Sequence, residues 1–368
     1  MPSSSDVPAL HVDLMVKDRP VLVVGGGPAA LGRIGALRDS GARVTVVAPS
    51  AVPAVADLAD RGVLRWRRRE WRDEDFQGVW LVAAATGDPT TDSEITRRAA
   101  ERHLFCLSTP ESAGRLVSSS GAVGRVVLVG GGPGDPGLIT VAGLAAVREA
   151  DVVITDRLAP VGVLADVRPG TEIIDVSKVP GGTATSQDEI NRLLVDCARS
   201  GRLVVRLKGG DNFVFGRGAE EWQACAAAGI EVRIVPGVSS SIAAPAMGGI
   251  PLTHRTANQG FTVITGHLRP GDPRSTIDYA ALARSGTALV VMMGVGTLAA
   301  ITAALIRHGL DPQTPTATVA DGTLPSQRVV RAPLREIADA TGAAGIRPPA
   351  VTVIGSVAAF DPTVEWRA

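Results

Sequence analysis

The chain has 368 residues, of which 45% are apolar and 20% charged, which is enough for about two or three soluble domains. Basic and acidic residues balance at 37 each, so no nucleic acid partner is predicted, and an anionic ligand needs a local basic patch. Three scattered cysteines, an acidic N-terminus and no apolar run of about 18 residues predict a cytoplasmic protein. The same features predict neither a metal site nor a membrane span.

The pentapeptide Val-Gly-Gly-Gly-Pro occurs twice, at Val24–Pro28 and at Val129–Pro133. Each copy follows an apolar run typical of a buried parallel strand, and glycines after such a strand let the backbone approach a ligand closely. The first copy continues into a helix start, whereas the second continues into Gly134-Asp135-Pro136, where a helix cannot begin at once. The sequence therefore predicts two fused domains that use similar strand ends for different ligands.

Between about Leu14 and Ser108 the hydrophobic pattern reads β-α-β-β-α-β. Strands that alternate with helices predict an α/β fold, here an N-terminal Rossmann-like parallel sheet domain. The segment VSSSGAVG has linker composition, so we place this domain at residues 1–116 and a linker at 117–124.

The first glycine loop fits the pattern G-x-G-x-x-A between a strand and a helix, the context of dinucleotide binding. The helix N-terminus can meet a pyrophosphate there. No acidic residue closes the second strand to hold a ribose, so a tight turn without ligand remains the alternative. The predicted NAD contacts are Gly25, Gly27, Pro28, Ala29, Pro49 and Ser50.

A dense run of arginines follows the second strand. Such a run can receive a polyanion, but it more often marks a solvated edge strand that resists pairing with another sheet. We favour the edge strand for Arg61, Arg65, Arg67, Arg68, Arg69 and Arg72.

From Arg125 a second α/β alternation begins, which we divide into lobes at about 125–236 and 237–368. Its motifs follow in a fixed order: GGGPGDP, a strand ending in Asp156-Arg157, the segment RLKGGDNFVFGRG at Arg206–Gly218, then VPGVSS and IPLTHR. This ordered set resembles the tetrapyrrole methyltransferases over residues 125–368. Asn212 stands where that family usually has proline. The N-terminal part resembles the dehydrogenase domain of the fused siroheme synthases.

The resemblance implies S-adenosylmethionine as methyl donor, uroporphyrinogen III as acceptor and a homodimer. It places the proton acceptor on Asp156 and the proton donor on Lys178, roles that suit methylation of a ring carbon, after which the ring system must lose a proton. The donor-binding positions that it implies are Pro133, Gly209, Gly210, Asp211, Val214, Ser239, Ser240, Met293 and Gly322. Asp211 is compatible with either the methionyl ammonium or the ribose.

A chain without net charge must still neutralise a substrate that carries many carboxylates. Several basic residues lie at or beside motif ends, where guanidinium groups match carboxylates. We predict that some of them line the substrate trough, with surface salt bridges as the alternative: Arg157, Arg206, Arg217, His254 and Arg255.

Two departures from the siroheme synthases concern the N-terminal half. Arg125 follows Leu107 by only eighteen residues, so the helical dimerisation segment of that family is almost entirely missing. Pro110 stands four residues after Cys106, where the family has its catalytic aspartate, and Glu111 is only adjacent.

We therefore predict a functional methyltransferase with a degenerate dehydrogenase half. Three alternatives remain. The chain can be bifunctional and also oxidise its product with NAD. The N-terminal half can be a non-catalytic binding or dimerisation module. The C-terminal half can act on another corrinoid or on diphthine.

Overall fold

The computed structural model describes residues 14–107, 124–177 and 185–363. Within these ranges the chain forms three five-stranded sheets, one after another in sequence. No helix in this described part is long and apolar enough to cross a membrane.

The first sheet is parallel throughout and has the order β3-β2-β1-β4-β5. Its strands are β1 (Pro20–Val24), β2 (Arg43–Val47), β3 (Arg65–Arg67), β4 (Leu81–Ala84) and β5 (Phe105–Leu107). Its helices are α1 (Pro28–Asp39), α2 (Pro53–Asp60) and α3 (Pro89–Ala100). Valine and leucine fill the central strands, which are buried on both faces as parallel strands require.

The predicted β-α-β-β-α-β order is wrong at one point, because helix α2 lies between β2 and β3. It is only eight residues long, so its hydrophobic period is too short to stand out. Two signals do mark it: Pro53 occupies its first turn, and Val55 and Leu58 form a buried face.

Part of the arginine run forms an edge strand, since Arg65 and Arg67 lie in β3 at the end of the sheet. Arg61 does not, because it is the C-cap residue of α2. Arg67 Nη1 lies 2.5 Å from Asp75 Oδ1. Arg69 donates to both oxygens of Asp75, at 2.8 and 2.7 Å. These two cations are therefore engaged by a buried carboxylate of the same domain.

The second sheet is also parallel, with the order β10-β6-β9-β7-β8. Its strands are β6 (Arg125–Gly130), β7 (Val152–Thr155), β8 (Glu172–Asp175), β9 (Leu203–Lys208) and β10 (Glu231–Val235). Its helices are α4 (Val141–Glu149), α5 (Gln187–Arg199) and α6 (Gly218–Ala227). A short 3-10 turn, Pro136–Leu138, delays α4 after the glycine loop, in agreement with the sequence.

The third sheet is mixed, with the order β11-β12-β15-β13-β14. Its strands are β11 (Phe261–Thr265), β12 (Ala288–Met292), β13 (Pro315–Ala320), β14 (Arg328–Pro333) and β15 (Ala350–Ile354). Its helices are α7 (Ser240–Met247), α8 (Tyr279–Ala283), α9 (Leu298–Arg307) and α10 (Ile337–Ala343). β15 is antiparallel to both β12 and β13, and β14 forms a hairpin with β13 that the sequence reading missed.

The first and second sheets share one core. Buried residues of β1 and α1, such as Val23 and Ile34, belong to the same apolar cluster as Val129 and Leu164. Helix α1 lies so close to the 3-10 helix Val161–Asp166 that a Cβ on Gly35 would stand 2.6 Å from the Gly162 nitrogen. The N-terminal domain is therefore packed firmly against the second sheet.

Candidate active site

The loops that leave the second sheet at its carboxyl edge pack backbone against backbone. Gly132 and Gly210 exchange two hydrogen bonds, with N···O distances of 3.1 and 2.6 Å. A Cβ on Gly237 would stand 2.3 Å from the Gly210 carbonyl oxygen, so no larger residue fits there. Gly210 has φ +68°, a conformation that glycine adopts without strain.

Several predicted donor-binding residues meet beside these loops. Ser239 caps α7, and the Oγ of Ser240 would lie 3.6 Å from a Cβ on Gly210. Gly322 packs on the same helix, since its Cβ would stand 2.4 Å from Ala244 Cβ. The backbone N–H of Asp135, two residues after Pro133, donates to Thr323 Oγ1 at 3.2 Å. The structure thus brings the second and third sheets together at one cleft.

Met293 and Gly322 follow strands that end at the same edge of the third sheet. Met292 pairs with Val351 and Ala320 with Ala350 on the intervening strand β15. Met293, Asp321 and Thr323 have φ values of 55°, 50° and 77°, which side chains rarely adopt. Such strained backbone persists where the surrounding structure enforces it, often at ligand sites.

The carboxylate of Asp211 holds the loop that contains it. Its Oδ1 accepts from Phe213 N–H at 2.8 Å and Val214 N–H at 3.3 Å. Its Oδ2 accepts from Gly237 N–H at 3.1 Å. Asp211 therefore stabilises the conformation of its own loop. The two predicted ligand contacts of Asp211, with the methionyl ammonium or with the ribose, stay predictions.

The unusual Asn212 is fully buried and joins two strand ends. Its Nδ2 donates to the carbonyls of Leu128 at 3.2 Å and Val235 at 2.9 Å. A proline side chain cannot make these bonds, so this chain fixes the β6 and β10 ends in its own way.

Asp156 follows β7 and stands at one end of a buried chain of charges. Arg206 Nη2 donates to Asp156 Oδ2 at 3.0 Å, and Arg206 Nε donates to Glu221 Oε1 at 3.0 Å. Lys208 Nζ donates to both oxygens of Glu221, at 2.8 and 2.9 Å. We call Asp156, Arg206, Glu221 and Lys208 the buried quartet; only the Asp156 side chain, 29% exposed, reaches solvent appreciably.

The surroundings shift the pKa values of the two cations of the buried quartet in opposite directions. Burial works against the charge of Arg206, but the carboxylates of Asp156 and Glu221 outweigh it and raise the pKa of the guanidinium. Burial and the neighbouring charge of Arg206 lower the pKa of Lys208. The quartet thus holds a permanent cation next to Asp156.

Arg206 is a correction to the predicted substrate contacts. It is 3% exposed, and Nη1 also donates to the carbonyls of Ile154 and Leu207. Because every nitrogen of its guanidinium has a protein partner, Arg206 holds Asp156 instead of facing a substrate.

Two of the other predicted substrate residues pair with acidic side chains. Arg157 donates to Asp57 Oδ1 at 3.0 Å, and Arg217 donates to Glu220 Oε1 at 2.8 Å. His254 Nδ1 lies 3.0 Å from Thr256 Oγ1, and Arg255 is exposed. Lys178 lies outside the described residues, directly after Ser177. These assignments stay predictions.

Sequence reasoning missed Glu221 and Lys208 as parts of the site. Lys208 is the last residue of β9, a strand that is buried along nearly its whole length and also contains Arg206. Two cations in such a strand require an acidic partner. The sequence could therefore have predicted a buried acidic partner for these two cations, but it could not identify that partner as Glu221.

The first glycine loop has a different geometry. A Cβ on Gly25 would stand 2.1 Å from the Ala85 carbonyl oxygen, whereas nothing lies within 4 Å of a Cβ on Gly27. Pro28 and Ala29, in the first turn of α1, are exposed. This tight turn with open space above it fits a pyrophosphate at a helix N-terminus. Pro49 and Ser50 follow β2 without an acid, and positions 110 and 111 lie outside the described residues.

Together, these features define a class of protein: an α/β enzyme that binds ligands at the carboxyl edges of its sheets, with a buried charge network behind one carboxylate. Residues 125–338 match the family described as Tetrapyrrole (Corrin/Porphyrin) Methylases, and residues 12–114 match a putative NAD(P)-binding family. The first match covers more than half of the chain, which therefore belongs to the tetrapyrrole methylases.

Curated relatives extend over both halves. The chain is 34% identical to siroheme synthase 1 of Klebsiella pneumoniae, covering 95% of this chain and 94% of that protein. It is 32% identical to the siroheme synthase of Methylococcus capsulatus, with coverages of 97% and 96%. The Klebsiella alignment has 448 positions although this chain has 368 residues, so at least 80 positions are gaps in this chain.

Solved structures resemble the C-terminal part. Uroporphyrin-III C-methyl transferase from Thermus thermophilus, complexed with S-adenyl homocysteine, is 42% identical with a TM-score of 0.54. The comparison covers 64% of this chain and 98% of that one. Cobalt precorrin-4 methyltransferase is 28% identical with a TM-score of 0.58.

Proposed function

We propose that the chain transfers methyl groups from S-adenosylmethionine to uroporphyrinogen III, giving precorrin-2 for siroheme or cobalamin synthesis. The observation that carries this proposal is the convergence of four predicted donor-binding segments on one cleft: Pro133, Gly209–Asp211, Ser239–Ser240 and Gly322. Family membership and the Thermus structure support the same conclusion.

The cleft fits such a donor because it offers glycine backbone groups and apolar side chains beside the carboxylate of Asp156. Val214, Val238 and Met293 are 37%, 36% and 49% exposed, unusual for their type. These side chains suit an adenosyl group, and the glycine backbones suit the methionyl part. The bound donor supplies an electrophilic methyl group; the protein positions it and excludes water.

Asp156 is proposed as the proton acceptor. Methyl transfer to a fully substituted ring carbon leaves the tetrapyrrole one positive charge richer, so a proton must leave another atom of the macrocycle, and a carboxylate at the cleft receives it. Arg206 fixes one oxygen of Asp156, and Leu158 N–H donates to the other at 3.1 Å. Lys178 is proposed as the proton donor. Arg157, Arg217, His254 and Arg255 are proposed to meet substrate carboxylates.

The test is an assay of the whole chain with uroporphyrinogen III and S-adenosylmethionine, followed by mass spectrometry of the product. Asp156→Asn should lower kcat by about one hundred-fold or more, since a positioned base contributes that much. Asp166→Asn, which removes a surface partner of Arg148, serves as the matched control and should keep full activity. Absence of a dimethylated product in the wild type would refute the proposal.

A second candidate function is bifunctional: NAD-dependent oxidation of precorrin-2 to sirohydrochlorin. The intact glycine turn at Gly25–Gly27 favours it, and the missing ribose acid argues against it. Incubation of the methylated product with NAD⁺ separates the two. Sirohydrochlorin formation supports a bifunctional enzyme, and its absence leaves the N-terminal half as a non-catalytic module. The domain limits, a homodimer and a cytoplasmic location stay predictions beside this proposal.

A further inference from the structure

Helix α2 of the N-terminal domain contacts loops of both other sheets, at the edge where the proposed methyl-donor cleft lies. At its start, Ala54 N–H donates to Asp175 Oδ2 at 3.2 Å. Asp175 also accepts from Ser177 N–H at 2.9 Å and so shapes the segment that leads to Lys178. An N-terminal helix is thus hydrogen-bonded to the end of β8, three residues before Lys178 in the sequence.

The middle of α2 contacts the segment of the proposed proton acceptor. Asp57 is 7% exposed, and its Oδ1 accepts from Arg157 Nη1 at 3.0 Å. Arg157 directly follows Asp156 at the end of β7. The direction of the Arg157 side chain is therefore set by a residue of the N-terminal domain.

The end of α2 reaches the third sheet. Arg61, the C-cap residue, donates from Nη1 to Asp57 Oδ2 at 3.4 Å, and its Nη2 pairs with Asp321 Oδ1. Asp321 has φ +50° and precedes the predicted donor residue Gly322. This ion pair joins positions 260 residues apart in the chain.

These contacts form a continuous ion-pair chain, Arg157–Asp57–Arg61–Asp321, which we call the α2 clamp. Its side chains are 24%, 9%, 15% and 18% exposed, so salt screens it less than a surface pair. One end lies on the second sheet and the other on the third. The α2 clamp therefore spans the cleft from outside the methyltransferase half.

We propose that the α2 clamp fixes the width of the cleft, so that Asp57 and Arg61 are positioning residues for methyl-donor binding. The inference rests on the proposed function insofar as the cleft binds the methyl donor. Because α1 packs closely on the 3-10 helix Val161–Asp166 and shares its apolar core, the N-terminal domain supports α2 where it pairs with Asp321. The N-terminal domain then contributes to methyl transfer whether or not it binds NAD.

The experiment uses the full chain with Asp57→Asn and Arg61→Gln. We expect the Kd of S-adenosylhomocysteine, measured by calorimetry, and the KM for S-adenosylmethionine to rise about five-fold or more in each, as for a coupling between distinct sites. The kcat at saturating donor should change much less, because neither residue touches the reacting atoms. Arg61→Lys keeps the charge and should restore part of the affinity.

Arg97→Gln is the matched control, since Arg97 is an exposed arginine of the same domain that pairs with Glu94 and Glu101, on or next to α3. It should leave both constants unchanged. Added KCl should weaken S-adenosylhomocysteine binding more in the wild type than in Arg61→Gln, because only the wild type has the pair to screen.

The outcomes separate the two proposals. A wild type that neither binds S-adenosylhomocysteine nor methylates uroporphyrinogen III would overturn the proposed function. If the wild type binds S-adenosylhomocysteine and methylates uroporphyrinogen III, and Asp57→Asn and Arg61→Gln have the same Kd and KM as the wild type, only the α2 clamp proposal is overturned. A fall in kcat with unchanged Kd and KM would also overturn it.

Discussion

The two copies of Val-Gly-Gly-Gly-Pro have the same five residues but different backbone conformations. Gly27 is extended, with φ −84° and ψ −175°, and caps α1 with open space around it. Gly132 has φ +87° and is bridged to Gly210 by two hydrogen bonds. The comparison shows that the neighbouring loops, not the pentapeptide, decide what the turn does.

The two loops also differ in the charges behind them. The strands next to the first loop end without an ionisable residue, at Ala48-Pro49 and Ala84-Ala85. The second loop lies beside the buried quartet, which includes the carboxylate of Asp156 at the cleft. A glycine turn that only binds a ligand needs backbone groups. A turn beside a reacting substrate also needs a proton acceptor that is held in position.

The largest expected effect lies in the charges behind the second loop. Glu221→Ala leaves Arg206 and Lys208 buried without their shared partner, which should lower the free energy of unfolding by about 3–5 kcal/mol. Glu220→Ala, the adjacent and half-exposed acid, should have a far smaller effect. Urea unfolding of both variants checks this, and equal losses would refute the importance of the buried quartet.

Ligand binding compares the two loops directly. S-adenosylhomocysteine at one hundred times its Kd should stabilise the native state by about 2.7 kcal/mol. NAD⁺ at the same concentration should give a smaller thermal shift, because β2 ends without an acid to hold the ribose. A larger shift with NAD⁺ than with S-adenosylhomocysteine would reverse the ranking of the two sites.

Matched glycine substitutions test the backbone difference. Gly132→Ser places a Cβ at positive φ, 3.0 Å from the Leu138 carbonyl oxygen, and should cost about 1–2 kcal/mol of unfolding free energy. Gly27→Ser enters open space at a helix N-cap and should cost less than about 0.5 kcal/mol. Thermal melts of the pair suffice, and a Gly27→Ser loss as large as that of Gly132→Ser would contradict the comparison.

The smallest effect concerns acid stability in the N-terminal domain. Burial raises the pKa of Asp75, but hydrogen bonds from Arg69, from the Arg72 N–H and from Arg67 outweigh it, so the net pKa lies below its usual value. The associated stability is therefore present above the unfolded pKa of about 3.9 and is lost as the pH falls through the lowered native pKa.

Asp75→Asn should reduce stability at pH 7 by about 1 kcal/mol and flatten the fall in acid. Urea midpoints between pH 2 and pH 7 measure both. An unchanged acid dependence in Asp75→Asn would assign that fall to other carboxylates, such as Glu94, whose pKa its arginine neighbours lower to about 2.

The sequence determined most of the strands, the order of the motifs and the position of Asp156 at a strand end. Strands β1, β6, β7 and β9 are apolar runs bounded by glycine or charged residues, and such local patterns are legible without tertiary contacts. The edge position of β3 could be predicted too, because consecutive arginines more often mark a solvated edge strand. Helix α2 was not predicted because it is only eight residues long, and the hairpin strand β14 was not predicted because arginines interrupt its apolar pattern RVVRAP.

Only the tertiary structure decided which charges meet. Arg206 lies 50 residues from Asp156 and 15 from Glu221, so nothing local distinguishes a substrate-binding arginine from one that holds a carboxylate. The α2 clamp depends on the packing of α1 on the second sheet, which brings Arg61 to Asp321. The spacing of apolar residues along the chain predicts individual helices and strands, whereas the pairing of buried charges depends on how separate segments pack.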